Sequence, residues 1–328
     1  MSETTTVNRT MSNVFDEEAA ENAPGGNVVG AYLAHLAQRR DDIVALSADL
    51  GGALAELRDA RPDRYIEMGI AETNSVSVAA GLAASGFIPY IVSMGPFSAL
   101  KTGEQYRTDL AATNLPVRLI ARLTGVSMGF FGTSHHAVED IAITRSITNL
   151  TVVASSDNNS LIALLESTID YPGPVYFRVS EGITAKIHPQ IPTIERGKFV
   201  TVRDGSDLTI IATGVGTDAA FRAAELLEAD GVSVRLLDAT YLKPLDEAAI
   251  VDAAHQTGAI LTVEEHNVVG GLGTAVAEVI ARNGIATKLS IFGLPDEHLE
   301  VSLPAVLYEH YGLTGPGVAD QARKLLAD

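Results

Sequence analysis

Cysteine is absent from all 328 residues. That excludes disulfides, thiolate metal sites and a cysteine nucleophile, and it fits a reducing cytoplasm. Basic residues are scarce: 23 Lys and Arg stand against 41 Asp and Glu, for a net charge of −18. Such a surface repels phosphate backbones and anionic lipid, so neither nucleic acid nor a membrane is expected as a partner. No apolar run approaches the ~20 residues of a membrane span. The N-terminus is polar and acidic, without the apolar stretch of a secretory signal. What is present is a globular composition, 46% hydrophobic and long enough for two domains with sizeable cores.

Residues 1–24 are rich in Ser, Thr and Asn and then in Glu and Ala, without periodicity, and read as a disordered tail. Asn27 reads as the cap of a helix carrying Val28, Val29, Tyr32, Leu33 and Leu36 at helical spacing. A buried strand over 43–47 runs into Ala48-Asp49-Leu50-Gly51-Gly52. The stretch 65–89 looks central. A short extended run ends at Gly69, which lets the backbone turn, and a helix of small residues starts near Glu72. Gly86 closes that helix before a strand opens at Ile88. A helix over 97–112, strands near 115–121, 150–154 and 175–178, and a Gly-rich segment over 125–132 continue the alternation. Alternating strands and helices predict α/β architecture, a parallel sheet with helices on both faces. Pro189 and Pro192 mark a linker, giving domains over 25–190 and 191–328. The second unit repeats the pattern with strands at 208–212, 232–237 and 259–264 and helices between them. No internal repeat is visible.

Together these segments carry a resemblance. Gly69-Ile-Ala-Glu72 with its small-residue helix, Ile88-Pro-Tyr-Ile-Val-Ser-Met-Gly-Pro-Phe97, Glu104-Gln-Tyr-Arg107 and Ser134-His-His-Ala-Val-Glu-Asp140 resemble the pyrimidine-binding domain of transketolases. Asp204 to Gly216, Leu242-Lys-Pro-Leu-Asp246 and Val263-Glu-Glu-His-Asn-Val-Val-Gly-Gly-Leu-Gly273 resemble the same family's C-terminal domain. The match runs in unbroken order over about 27–325. The deoxyxylulose-phosphate synthases and the β subunits of 2-oxo-acid dehydrogenases share this layout. The resemblance implies two successive three-layer α/β domains, the first with a parallel sheet and the second with a mostly parallel one. It also implies thiamine diphosphate as cofactor. The family's Gly-Asp-Gly motif, which holds the diphosphate through a metal, does not occur in the chain. The implied protein is therefore the small subunit of a split, two-component transketolase, assembled as an α2β2 heterotetramer. Its partner, the N-terminal diphosphate-binding subunit, would hold Mg²⁺ or Ca²⁺; this chain would hold no metal.

Residue by residue, the resemblance assigns roles. Glu72 matches the glutamate that bonds the pyrimidine N1′ and so favours the basic imino tautomer, which removes the thiazolium C2 proton. To share a proton with so weak a base, the carboxyl must be shielded from water. Phe97 matches the aromatic that stacks on the pyrimidine. Asp49 and Leu50 fall near the thiazolium, although Asp49 reads equally as a helix cap, and Met94 lies on the cofactor side. His135 matches the substrate-contacting, catalytic histidine, with His136 behind it. His266 would lie near the active-site mouth. Three departures concern the substrate. Phe131 stands where an aspartate reads a sugar hydroxyl, Ala53 where a serine contacts phosphate, and Glu181 where an arginine does so. Arg178 would remain for an anionic group. A carboxylate repels a phosphate and a Phe cannot hydrogen-bond a hydroxyl, so a substrate other than an ordinary sugar phosphate is expected. The implied activity is transfer of a two-carbon ketol unit from a ketose to an aldehyde. A decarboxylating β subunit and a non-catalytic relic of the family stand as the alternatives.

Overall fold

The computed structural model describes residues 25–180 and 186–327. The tail over 1–24 therefore lies outside the described residues, as does Glu181. Helix α1 (Gly25–Ala37) starts two residues before Asn27, which places that residue inside the first turn and not at a cap.

The first sheet has seven strands: β1 (Ile43–Ser47), β2 (Tyr65–Glu67), β3 (Ile88–Met94), β4 (Arg118–Arg122), β5 (Thr151–Ala154), β6 (Val175–Val179) and a late arrival, β10 (Tyr241–Lys243). Their order is β10-β5-β6-β4-β3-β1-β2, parallel except for β10. The strands β1, β5 and β6 are buried at every position, as a sheet covered on both faces requires. One face carries α1, α2 (Ala55–Ala60) and α6 (Asn158–Thr168). The other carries α3 (Glu72–Ala84) and α5 (Asp140–Ser146). Small side chains let α3 lie close: Ser75, Val76, Ala79 and Ala83 are buried. Gly69, at φ +63°, makes the turn into α3, and Gly86, at φ +97°, follows its end.

The second sheet runs β12-β11-β8-β9-β7, built from β7 (Val200–Arg203), β8 (Leu208–Thr213), β9 (Val234–Asp238), β11 (Ala259–Asn267) and β12 (Lys288–Leu294). It is parallel apart from β7. Helices α7 (Gly216–Ala229), α8 (Glu247–Thr257), α9 (Leu272–Arg282), α10 (Pro304–Tyr311) and α11 (Gly315–Ala327) complete it. The two units are not independent. One hydrophobic core holds Val76, Leu110 and Ile141 of the first together with Ile211, Ile250, Leu272 and Val276 of the second. Strand β10, from the C-terminal half, pairs with β5 of the first sheet. Among the described residues no helix is long and apolar enough to cross a membrane.

The helix expected over 97–112 is broken. Helix α4 (Gly95–Ala99) ends early, a helical turn occupies Gly103–Gln105, and Tyr106–Ala111 is wound as a π-helix. Ser98 and Thr102 donate their hydroxyls to the carbonyls of Met94 (2.8 Å) and Ser98 (2.7 Å), competing with the backbone ladder, and Gly103 weakens it further. The break leaves Leu100 and Lys101 in a turn at the surface.

The domains are tied by buried charge. Arg178, 1% exposed, donates Nε to both Asp140 oxygens (3.1 Å) and Nη2 to the Glu265 carbonyl (2.7 Å). The Glu265 carboxylate lies 3.6 Å from Nη1. It also accepts the Val126 amide (3.0 Å), the Ser180 hydroxyl (2.9 Å) and the Tyr308 hydroxyl (2.6 Å). Gly125, at φ +63°, is required beneath it, because a Cβ there would lie 2.0 Å from the carboxyl carbon.

Arg178→Met should destabilise the chain by roughly 3–5 kcal/mol, because two carboxylates would be left buried without their cation. Urea unfolding measures this; a loss below about 1 kcal/mol would mean that the network is dispensable. His266 provides a pH dependence. Its ring is fully buried, and burial pulls its pKa from the ordinary 6.5 to about 4. Between those values the unfolded chain binds a proton that the folded chain refuses. Stability should therefore fall as pH drops from 6.5 toward 4, by about 3 kcal/mol. His266→Gln should flatten the urea midpoint across that window, and an unchanged slope would assign the acid loss to other groups.

Candidate active site

Parallel strands deliver their C-terminal ends to one edge of the sheet, and loops leaving that edge are where α/β folds assemble sites. Here β1 leads to Asp49 and Leu50, β2 to Glu72, β3 to Met94 and Phe97, and β4 to the loop that ends at His135. Chain order reverses at β1, whose neighbours are β2 and β3.

Glu72 opens α3 and is 4% exposed. The turn before it is held by Glu67, which accepts the Gly69 amide (3.0 Å) and the Tyr65 hydroxyl. Burial raises the Glu67 pKa, but these donors outweigh it and hold the carboxyl below its ordinary value. The Glu72 oxygen Oε2 accepts a 2.7 Å hydrogen bond from Lys101 Nζ, while Oε1 takes none from the described residues. Lys101 Nζ lies 6.0 Å from the centre of the half-buried Phe97 ring. That ring meets His135 edge-on at 5.3 Å. The half-exposed Phe131 ring lies 4.7 Å from His135, with Phe130 4.7 Å beyond it. His135 Nδ1 is bonded to Ser134 Oγ (2.9 Å), and His136 is buried against the Gly129 carbonyl (3.3 Å). A line of groups thus runs from a buried carboxyl through a cation and an aromatic ring to an imidazole and an aromatic pair.

Asp49 is exposed and sits at φ +59°, and the 3₁₀ turn that follows is capped by Leu50 without a side-chain bond. The helix-cap reading of Asp49 therefore falls away. Met94 is half-buried at the end of β3. The substrate-side expectations need three corrections. Arg178 is not available to an anion, since Asp140 and Glu265 occupy its guanidinium inside the protein. Ala53 is 5% exposed and packs in the core with α1, where it lines no channel. His266 is not at a mouth: it is 0% exposed, with Nδ1 bonded to the Asn267 carbonyl (2.7 Å) and Nε2 accepting the Ala142 amide (3.4 Å). Sequence reasoning overlooked Lys101 and Phe130. For Lys101 a signal existed: it is the one Lys or Arg between Arg64 and Arg107 and follows Phe97 by four residues.

A buried carboxyl with one oxygen open, beside an aromatic face, fits an aminopyrimidine. The carboxyl suits a ring nitrogen and the face suits stacking. Among the described residues no group of three or more His, Asp or Glu side chains could hold a metal ion.

Comparison with known proteins agrees with this geometry. The family pattern "Transketolase, pyrimidine binding domain" matches residues 24–186, and "Transketolase, C-terminal domain" matches 197–318. One of the two chains of an apulose-4-phosphate transketolase from Phocaeicola vulgatus is 35% identical over 293 residues, 88% of this chain and 93% of that protein. A 6-deoxy-6-sulfo-D-fructose transketolase subunit of a Clostridium species is 35% identical over 295 residues, 89% of this chain and 91% of its own. A solved structure described as "Split gene transketolase, inactive beta4 tetramer" superposes with a TM-score of 0.86 at 34% identity, covering 93% of this chain and 99% of that one. With two family domains in order, relatives matched over nearly their whole length, and Glu72 and Phe97 set together at the strand ends, the chain belongs to the transketolase family.

Proposed function

We propose that this chain is the small subunit of a two-component, thiamine-diphosphate-dependent transketolase-like enzyme of the cytoplasm. It moves a two-carbon ketol unit from a ketose donor to an aldehyde acceptor. The observation that carries the reading is Glu72: a carboxyl 4% exposed, beside Phe97, with one oxygen unclaimed among the described residues. Glu72 holds a proton at the pyrimidine nitrogen and Phe97 supports the ring. Asp49, Leu50 and Met94 border the cofactor from neighbouring strand ends. His135, half-exposed at the far side of Phe97, handles the proton of a substrate hydroxyl. When bound, thiamine diphosphate supplies the carbon nucleophile for this chemistry. The diphosphate and its Mg²⁺ or Ca²⁺ belong to an N-terminal subunit, in an α2β2 assembly. A relative described as an inactive β4 tetramer supports the need for that partner.

Of the three departures that pointed to an unusual substrate, one stands at the site. Phe131 lies against His135 with half its surface exposed. It offers an apolar face where the family's aspartate accepts a hydroxyl, so the substrate is read as a ketose lacking or masking that hydroxyl. Two relatives are named for unlike ketoses, one phosphorylated and one sulfonated, which supports a family whose substrate side varies. The expectation for Glu181 stays a proposal of the same kind, that it disfavours a phosphate.

Glu72→Gln should leave folding and assembly intact. Exchange of the cofactor's C2 proton, followed by NMR in the assembled pair, should slow by ~10²–10⁴-fold. The unmodified chain without its partner should show no turnover. An unchanged exchange rate would return Glu72 to a helix-dipole role. For the substrate, matched ketoses with and without the hydroxyl should differ in kcat/KM, the deoxy compound being preferred. Phe131→Asp should reverse that preference by roughly 10–100-fold. A ratio that does not move would remove Phe131 from substrate reading.

A further inference from the structure

We propose that Lys101 is a positioning residue that occupies the cofactor's place at Glu72 until the cofactor arrives. The proposal rests on the reading of Glu72 and Phe97 just given. Its physical basis is that one cation stands on both groups an aminopyrimidine would use. Its Nζ bonds Glu72 Oε2 at 2.7 Å and lies 6.0 Å from the centre of the Phe97 ring. A carboxylate paired with an ammonium is held in its charged form, whereas proton sharing with a weak ring base requires that cation to withdraw. The pair also removes the cost of leaving a carboxylate 4% exposed with no partner. Lys101 thereby keeps the chain folded around an unused catalytic acid.

The device is reversible because of where Lys101 stands. Helix α4 ends at Ala99, and Lys101 occupies the turn before Gly103 with its side chain 47% exposed. An ammonium on a flexible stem can move into water, which the buried Arg178 guanidinium cannot. A helix running unbroken over 97–112 would have fixed the stem to a regular helical face. The hydroxyls of Ser98 and Thr102, turned back on the chain, give it a turn instead. The resting chain is then inactive for two separate reasons: the missing diphosphate half, and a catalytic carboxylate already taken.

The test reads the ammonium itself. The sequence has six lysines, so the ammonium signals of the ¹⁵N-labelled full chain are few, and loss of one in Lys101→Arg assigns it. In the chain without its partner the Lys101 signal should be protected from exchange, and Glu72→Gln should abolish that protection. Addition of the partner, Mg²⁺ and thiamine diphosphate should abolish it as well. A signal still protected at cofactor saturation overturns the proposal, because Lys101 would then remain on Glu72. Calorimetry gives the second arm. Lys101→Met, and Lys101→Gln as a milder replacement, should bind thiamine diphosphate about three- to tenfold tighter in the assembled pair, the range for a half-exposed ion pair. Equal affinity overturns the proposal by showing no competition. Weaker affinity overturns it by making Lys101 a ligand. The two readings fail separately: a Glu72→Gln variant with unchanged C2 exchange sinks the function, whereas a persistent Lys101 signal sinks only the placeholder.

Discussion

The Glu265 carboxylate is the point on which the arrangement of this chain depends. It comes from the second domain, is fully buried, and reaches into the loop that follows β4 of the first. Arg178 and the hydroxyls of Ser180 and Tyr308 make its burial tolerable, since an unpaired charge there would cost several kcal/mol. Through the Val126 amide the same carboxylate fixes the start of the segment that ends at His135. The catalytic edge of one domain is thus positioned by a side chain of the other. Strand β10 and the shared core reinforce that dependence.

The buried ion network and the surface pair at Glu72 are opposite uses of charge. Arg178 is enclosed, with donors satisfied on several sides, and holds a fixed geometry. Lys101 is half in water and is drawn toward a single carboxylate that has other work. The guanidinium's fork suits the first role and the ammonium's single, mobile charge suits the second. Between them lies the aromatic line from Phe97 through His135 to Phe131, which shapes the substrate side by contact.

Legibility in the sequence followed chemistry at short range. The glycines at 69 and 86, the small-residue helix between them and the alternation of strands with helices were readable, because backbone freedom and periodicity are local properties. Glu72, Phe97 and His135 were readable through a family pattern, and the fold brings them to one sheet edge. The substrate side was read less well. Arg178, Ala53 and His266 carry residue types that suit a channel, yet each is buried, and burial depends on contacts 87 residues distant in the case of Arg178 and Glu265. No local pattern distinguishes an arginine that meets solvent from one that meets two carboxylates.

By itself the sequence determined the class of fold, the family and the acid that opens α3. Hydrophobic period, glycine placement and residue order survive any arrangement of the domains. Tertiary structure alone decided which polar groups are spent internally and which face the site. It turned Arg178 inward, closed His266 in the interior, broke the helix after Phe97 and laid Lys101 on Glu72. The physical reason is that charge and exposure are set by neighbours in space: a carboxyl becomes an acid, a clasp or a surface group according to what is packed around it.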